Sequence, residues 1–513
     1  MKEQPVRRSI GYKAAGFRPS GTLWLLIGCA SWCPVAVGQT TSTSGNLSPP
    51  PSSSSTYGGQ SNRSSSGSAA AGIGAFSQSP YSGSVTEGKA TPEVLPLAFK
   101  DALERALRNN LGLLLSNDYT LAARGEKWNE LSALLPHLNA TASQSVAQID
   151  LAALGFRFRI PGIPQVVGPL GIFQSSFNLS QSVFDYSAIK RLRGAKEEEK
   201  SAQYSLKNAR ELVVLATGNA YLLSLSGGAR VDTAQADVET AQALFDKAAD
   251  QQKAGVSPAI DVLRAQVELQ SRQQQLIVAR NEYAKQKLQL ARVIGLPTGQ
   301  EFTLTTAVPY EPLVGLGVEE YLRRAYLARP DYLAAVEDER SAEARRRAAT
   351  AQHYPTLDIA GDYGAAGVNI GMSHGAFQVG AILTIPITAG GKTHADVLEA
   401  EAALRQSRQQ LENLQGQIDY EVRTALLDLA AAADQVEVAR SSVELAQQTL
   451  TQARDRFAAG VTDNLEVVQA QESVAAANES YIAGLYAHNI AKLELAKAIG
   501  FAEEGVNRYL QGK

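Results

Sequence analysis

The chain has 513 residues and a formal net charge of −3, with a pI near 6.1, so no basic footprint points to nucleic acid. Aromatic residues make up only 7%, low for a compact core of this size, and Cys29 and Cys33 are the only cysteines. The body of the protein therefore has no disulfide and no thiolate site.

The first 38 residues read as an export signal. Arg7, Arg8, Lys13 and Arg18 form a positive start, and an apolar stretch opens at Leu23. Two processing sites fit: Ala36-Val37-Gly38 before Gln39 suits signal peptidase, and Leu26-Ile27-Gly28-Cys29 suits a lipobox that would place a lipid on Cys29. Residues 39–94 are mostly Ser, Gly, Thr and Pro, too polar to offset the entropy of ordering, and are predicted to be a disordered arm. After the signal, no run of 18 apolar residues predicts a transmembrane helix.

Helical periodicity runs from about residue 97 to 134 through Ala102, Leu103, Ala106, Leu107 and Leu111, and Pro136 ends it. Residues 137–150 are predicted as a strand, 155–171 as a Gly/Pro-rich loop, and 175–185 as a second strand with Phe177, Leu179 and Val183 on one side. Helix is expected from Ser187 to Gly255 and again from Pro258 to Ile294. Residues 296–317, with Pro297, Pro309 and Pro312, form a linker.

The second half repeats the first. Val318 to His353 mirrors the first helical segment, and Pro355 stands 219 residues after Pro136. Strands are predicted at Tyr354 to Tyr363 and Phe377 to Ile387. The clearest repeat unit is 254–266, Ala-Gly-Val-Ser-Pro-Ala-Ile-Asp-Val-Leu-Arg-Ala-Gln, against 459–471, Ala-Gly-Val-Thr-Asp-Asn-Leu-Glu-Val-Val-Gln-Ala-Gln. Each copy lies between two long helical patterns and reads as the tip of an αα-hairpin. Gly255 and Gly460 suit the left-handed position after a helix, Ser257 and Thr462 suit an N-cap, and Pro258 suits the first helical position. Asp261 and Glu466 fall near the positive end of the following helix.

The long helices carry a seven-residue repeat, the signature of coiled-coil packing. Leu429, Val436, Val443, Leu450 and Phe457 run beside Ala425, Ala432, Ala439, Ala446 and Ala453. Val231, Val238 and Phe245 run beside Ala220, Gly227, Ala234, Ala241 and Ala248 in the first half. A helix from Lys392 to Ala459 would extend roughly 100 Å at 1.5 Å per residue. Four strands cannot close a membrane barrel, so a membrane reading requires several chains; a small soluble sheet capping a bundle fits the pattern equally.

Taken in order and in duplicate, these features resemble the TolC family of outer-membrane efflux proteins. The matching residues are Ala106-Leu107-Arg108-Asn109-Asn110 with Ala325 to Asp331, and the strand starts at Pro136 and Tyr354-Pro355-Thr356-Leu357. Leu383-Thr384-Ile385-Pro386-Ile387 running into Gly390-Gly391, and the two Ala-Gly-Val tips, complete the set. The resemblance covers about residues 95–501, as two efflux repeats at 95–295 and 318–501 with a tail at 502–513.

It implies a mainly α fold with a small β part. Long helical hairpins would form a periplasmic α-barrel, and four strands per chain would join a 12-stranded outer-membrane β-barrel in a homotrimer. It also implies a periplasmic adaptor and an inner-membrane transporter as partners, with outer-membrane lipid around the barrel and no cofactor. The adaptor-contact set would be Gly255, Val256, Ser257, Gly460, Val461 and Thr462. The periplasmic gate of the family corresponds here to Phe457, Thr462, Glu466 and Gln469. Thr462 stands where the archetype has Arg, and Gln469 where it has a second Asp, so packing around Phe457 rather than ion pairing is expected to hold this gate.

No catalytic constellation or metal-ligand spacing is present. His137, His353, His374, His394 and His488 are scattered, and His488 falls in a helical packing column. Three functions stay open: a duct for small-molecule efflux, a duct for type I protein secretion, and a soluble periplasmic coiled-coil scaffold.

Overall fold

A computed structural model describes residues 80–150, 153, 165–306, 310–312, 317–459, 461–462 and 464–509. The signal, Cys29, most of the Ser/Gly arm and Gly460 lie outside the described residues.

Two helices dominate. One, α3, spans Tyr186–Lys253 with 68 residues, and α7 spans Lys392–Ala458 with 67. Each turns back into a shorter helix, α4 (Ala259–Ile294) after α3 and α8 (Asn464–Ala498) after α7. The seven-residue columns lie along the seams: Ala425, Leu429, Ala432, Val436, Ala439, Ala453 and Phe457 are buried on α7, and Leu269, Leu276 and Leu290 on α4. One stretch of α3 reaches the mean hydropathy of a membrane span without being an unbroken apolar run, and more than half of it is buried inside the helix packing.

The two shorter helical segments are each broken in two, which periodicity alone does not reveal. In the first half α1 (Phe99–Asn109) ends at Asn110 and α2 (Leu111–Ser132) begins. Asn110 leaves the helical region and its Oδ1 accepts the N–H of Gly112 at 3.0 Å, capping α2. In the second half α5 (Val318–Ala328) gives way to α6 (Pro330–Ala351). Pro330 forces Arg329 into extended backbone, at φ −61° and ψ 119°, so α5 must stop there.

The main cores lie at the middles of the long helices. Phe99, Ala102, Leu103 and Ala106 of α1 pack on Val213, Val214 and Tyr221 of α3 and on Leu290 and Ile294 of α4. Tyr321 and Ala325 of α5 pack on Ile418, Val422 and Leu429 of α7 and on Leu495 of α8. At Gly218 the helices come so close that a Cβ would lie 2.6 Å from Leu493 Cδ1. A short α9 (Ala502–Tyr509) closes this girdle, and buried Glu211 accepts the N–H groups of Ala502 and Glu503 at its start.

The linker and the arm are more ordered than their composition predicts. Within 296–317, Phe302–Leu304 forms β4, which pairs in parallel with β1, Leu95–Leu97. Residues 80–94, expected to be disordered, are stitched to the girdle. Ser84 N–H donates to Arg292 O at 3.1 Å, Val85 N–H to Asn109 O at 2.8 Å, and Glu87 N–H to Gly295 O at 3.1 Å.

The strands form one antiparallel sheet in the order β2 (His137–Asp150), β3 (Val166–Phe184), β5 (Thr356–Gly367), β6 (Ser373–Thr384). β3 begins at Val166, so residues 166–171 are strand rather than the predicted loop, because each finds a ladder partner on β2 or lies within that register. Residues 155–164 lie outside the description.

The register separates two faces. Ala140, Phe177, Tyr363 and Phe377 form one row, and Leu138, Leu179, Gly361 and Val379 the next. The opposite face carries Asn139, Thr141, Ser176, Asn178, Asp362 and Gln378. Among the described residues nothing covers the apolar face: Phe377 is 68% exposed and Val379 72%.

Candidate functional site

The helix pattern puts the two hairpin tips and the sheet at opposite ends of α3 and α7. At the first tip α3 ends at Lys253 and Gly255 takes φ +73°. Gly255 N–H then donates to Gln252 O at 2.9 Å, and Val256 N–H to Gln251 O at 3.0 Å. That pair of bonds is the Schellman closure, and it needs a residue without Cβ strain at the turn. The second tip repeats the long bond, Val461 N–H to Arg456 O at 3.0 Å.

The cap of the first return helix differs from expectation. Pro258, at φ −72° and ψ 153°, occupies the N-cap position and α4 starts at Ala259. Ser257 therefore sits one residue too early to cap. Its hydroxyl donates to Asp261 Oδ2 at 2.7 Å, and Asp261 is buried with Arg264 3.7 Å away. Asp261 and Glu466 both lie in the first turn of their helices, as read from the sequence. Val256 and Val461 are exposed at the two tips.

Phe457 is the centre of the second tip. It is buried with Ala453 of its own helix, Val467 and Ala470 of α8, and Leu244 of α3. Lys247 of α3 holds its ammonium 5.5 Å from the Phe457 ring centroid. The aromatic thus joins the two hairpins as well as the two arms of its own.

Glu466 is not left without a cation. Arg456 Nη1 approaches its Oε1 at 2.5 Å across the turn. Arg456 was not among the sequence-derived gate residues; a basic residue in the last turn of α7, ten positions before an acid in the first turn of α8, is the signal that could have found it. Thr462 is half-buried in the turn and Gln469 is exposed on α8. Phe457 and Glu466 thus have defined partners.

Away from the tips the hairpins are joined by Tyr486 donating to Asn219 Oδ1 at 2.5 Å and by Arg230 Nε donating to both oxygens of Glu479 at 2.9 and 3.0 Å. Between that junction and the tips a groove of about 1000 Å³ opens between α3, α4 and α8. It is lined by Asp237, Glu268, Glu282, Glu472 and Glu479 against Arg230 and Arg272. Burial raises the Asp237 carboxyl above its ordinary value, with Arg272 pulling the other way. His488 is fully buried on α8 against the Tyr310 ring, 4.8 Å between centroids, and burial lowers it to about 4, with Lys492 acting in the same direction.

The comparison with known families decides the identity of this architecture. The family described as outer membrane efflux protein matches residues 102–296 and again 321–501. The chain belongs to the outer membrane efflux protein family.

Among relatives, it is 21% identical to the outer membrane protein TolC of Vibrio cholerae over 384 residues, covering 73% of this chain and 84% of that protein. It is 23% identical to the alkaline protease secretion protein AprF of Pseudomonas aeruginosa over 406 residues, 74% of this chain and 81% of that one. Among solved structures, the outer membrane protein VceC of Vibrio cholerae superposes with a TM-score of 0.68 at 19% identity, covering 79% of this chain and 97% of that one. The open state of the MtrE outer membrane channel of Neisseria gonorrhoeae gives 0.67 at 17% identity, covering 82% and 95%.

This efflux protein is therefore TolC-like in fold, an outer-membrane channel protein with its helices in the periplasm. Its family is one of channels rather than enzymes.

Proposed function

We propose that three copies of this efflux protein assemble into a duct that carries small molecules from a periplasmic adaptor and an inner-membrane transporter to the exterior. The observation that carries this reading is the sheet. It has one apolar and one polar face, an apolar face left uncovered, and two open edges on β2 and β6. In lipid an open edge leaves backbone N–H and C=O groups without partners at several kcal/mol each. Twelve strands from three chains close the edges. The apolar face then meets lipid, and Asn178, Asp362 and Gln378 face water in the lumen. Strands of 12 to 19 residues are long enough to cross a bilayer, which takes about 9–11 residues when tilted.

The two tips are the adaptor-contact set: Gly255, Val256 and Ser257 in the first, and Gly460, Val461 and Thr462 in the second. Phe457, Thr462, Glu466 and Gln469 form the gate. The first 38 residues are the export signal, with Cys29 as the alternative lipidation site. The membrane arrangement is tested by cysteine substitution along β6. Cysteines at Phe377 and Val379 should resist a water-soluble thiol reagent in intact outer membranes, and those at Gln378 and Gly380 should react; equal labelling at all four would exclude a membrane barrel.

The likeness to AprF supports a second reading, the same duct serving protein secretion. Deleting the gene separates the two. Increased accumulation of small toxic compounds marks an efflux duct, and loss of a secreted protein from the medium marks a secretion duct.

A further inference from the structure

We propose that the helix wall between α3, α4 and α8 carries a binding site for a small amphipathic amine. The site shares no residue with the proposed gate or the tips, and it does not rest on the duct reading.

A cavity of about 410 Å³ lies here, within the range of small-molecule sites. Leu222, Leu225, Ile482 and Leu485 give it apolar walls from both repeats. Two rings, Tyr283 of α4 and Tyr486 of α8, complete them. The Tyr486 hydroxyl is already committed to Asn219, so that residue offers its ring rather than its oxygen. Asn489, also lining the cavity, is 3% exposed; its amide NH2 donates to Leu485 O at 2.8 Å, and its Oδ1 has no partner among the described residues.

The charge at the mouth selects the ligand. Asp232 lines the cavity from an exposed position on α3 and has no hydrogen bond or ion pair among the described residues. It lies close enough to Tyr283 to help burial hold that phenol above its ordinary value. The Lys287 ammonium already lies 5.7 Å from the Tyr283 ring centroid, so Asp232 rather than that ring would direct the ligand's charge. A pocket with apolar walls, two aromatic rings and one carboxylate without a hydrogen bond or ion pair among the described residues fits a molecule with a hydrocarbon or aromatic body and an ammonium head. It disfavours an anion of the same shape. Because the walls come from both repeats, an occupant would brace the first hairpin against α8.

Tryptamine is a suitable probe, having an indole body and an ammonium group, and 3-indolepropionate carries the same ring with the opposite charge. Calorimetry on the full-length protein in phosphatidylcholine nanodiscs, corrected with empty nanodiscs, should show saturable tryptamine binding and at least roughly tenfold weaker binding of 3-indolepropionate. Asp232→Asn should weaken tryptamine by about tenfold, the worth of one charge-assisted contact. Ala229→Trp, at an exposed position lining the same cavity, should abolish binding by filling it. Both positions are exposed, so folding should be unaffected. Absence of saturable tryptamine binding, equal affinity for the two probes, or unchanged affinity in both variants would overturn the site.

Discussion

Phe457 is buried where two hairpins meet, and its neighbours are apolar apart from one lysine ammonium above the ring. Glu466, by contrast, is half-exposed and already neutralised by Arg456 within the same hairpin. An exposed pair of this kind contributes little, of the order of 0–1 kcal/mol, whereas removing a buried Phe side chain costs about 3–5 kcal/mol. Phe457→Ala should therefore open the pore in planar bilayers, while Glu466→Gln should leave conductance and ion selectivity nearly unchanged; the reverse pattern would move the gate to the ion pair. Gly255→Ala puts a Cβ on a left-handed residue with open space around it, so the cost is conformational, about 1 kcal/mol, read as a small fall in thermal midpoint.

Arg329 is the other residue on which much depends. Its guanidinium is 1% exposed and donates to Asp331 at 3.0 and 2.6 Å, to Glu421 at 2.8 Å and to Ala498 O at 3.2 Å. Burial works to raise both carboxyls, but the Arg329 bonds hold Asp331 below its ordinary 3.8, and Lys497 together with Arg329 holds Glu421 below its ordinary 4.5. A depressed carboxyl contributes stability that is complete above its unfolded value and is lost as pH falls through the folded one. The Arg329 pairing should thus contribute fully from neutral pH down to about 4.5 and fade below that. Buried His488, lowered to about 4, should by contrast cost stability already as pH falls below 6.5. Both are followed as helix melting by circular dichroism, with His488→Phe removing the earlier loss. Arg329→Met removes the guanidinium from half-buried Asp331 and leaves Glu421 to Lys497, and should cost about 3 kcal/mol at pH 7, with part of the loss recovered in acid.

At the scale of elements, legibility followed the strength of the local pattern. The long helices, the two glycine turns and the strand pairs could be read because a seven-residue repeat, a left-handed stop and a two-residue alternation are all written locally. The breaks at Asn110 and Arg329 could not, since apolar spacing continues through them and only capping chemistry, or the proline after Arg329, marks the stop. β1 and β4 are three residues each and hold only because they pair across roughly 200 positions. Residues 80–94 have a disordered composition, yet their backbone finds partners on α1 and α4 that no local signal announces. The burial of Phe457 was legible from its seven-residue column, but its contact with Lys247 and the pairing of Arg456 with Glu466 were not, since these depend on what the turn and the packing of α3 against α7 bring near. The face assignment of the sheet makes its own prediction. Val379→Arg, in the middle of the apolar face, should cost about 2–4 kcal/mol of membrane stability and reduce assembled protein in the outer membrane, while Ser176→Arg on the polar face should assemble normally.

For the whole molecule, the described residues leave the apolar sheet face exposed and β2 and β6 at the edges of the sheet. Family membership places it in the outer membrane, and the proposed trimer supplies the missing strands. A soluble coiled-coil scaffold would need no apolar sheet face. The most direct measurement is the conductance of the protein extracted from outer membranes, sized first in detergent. The account predicts a heat-labile trimer that forms discrete channels in planar bilayers, with larger openings in Phe457→Ala. Recovery of only soluble monomer or dimer, with no channel activity, would contradict it.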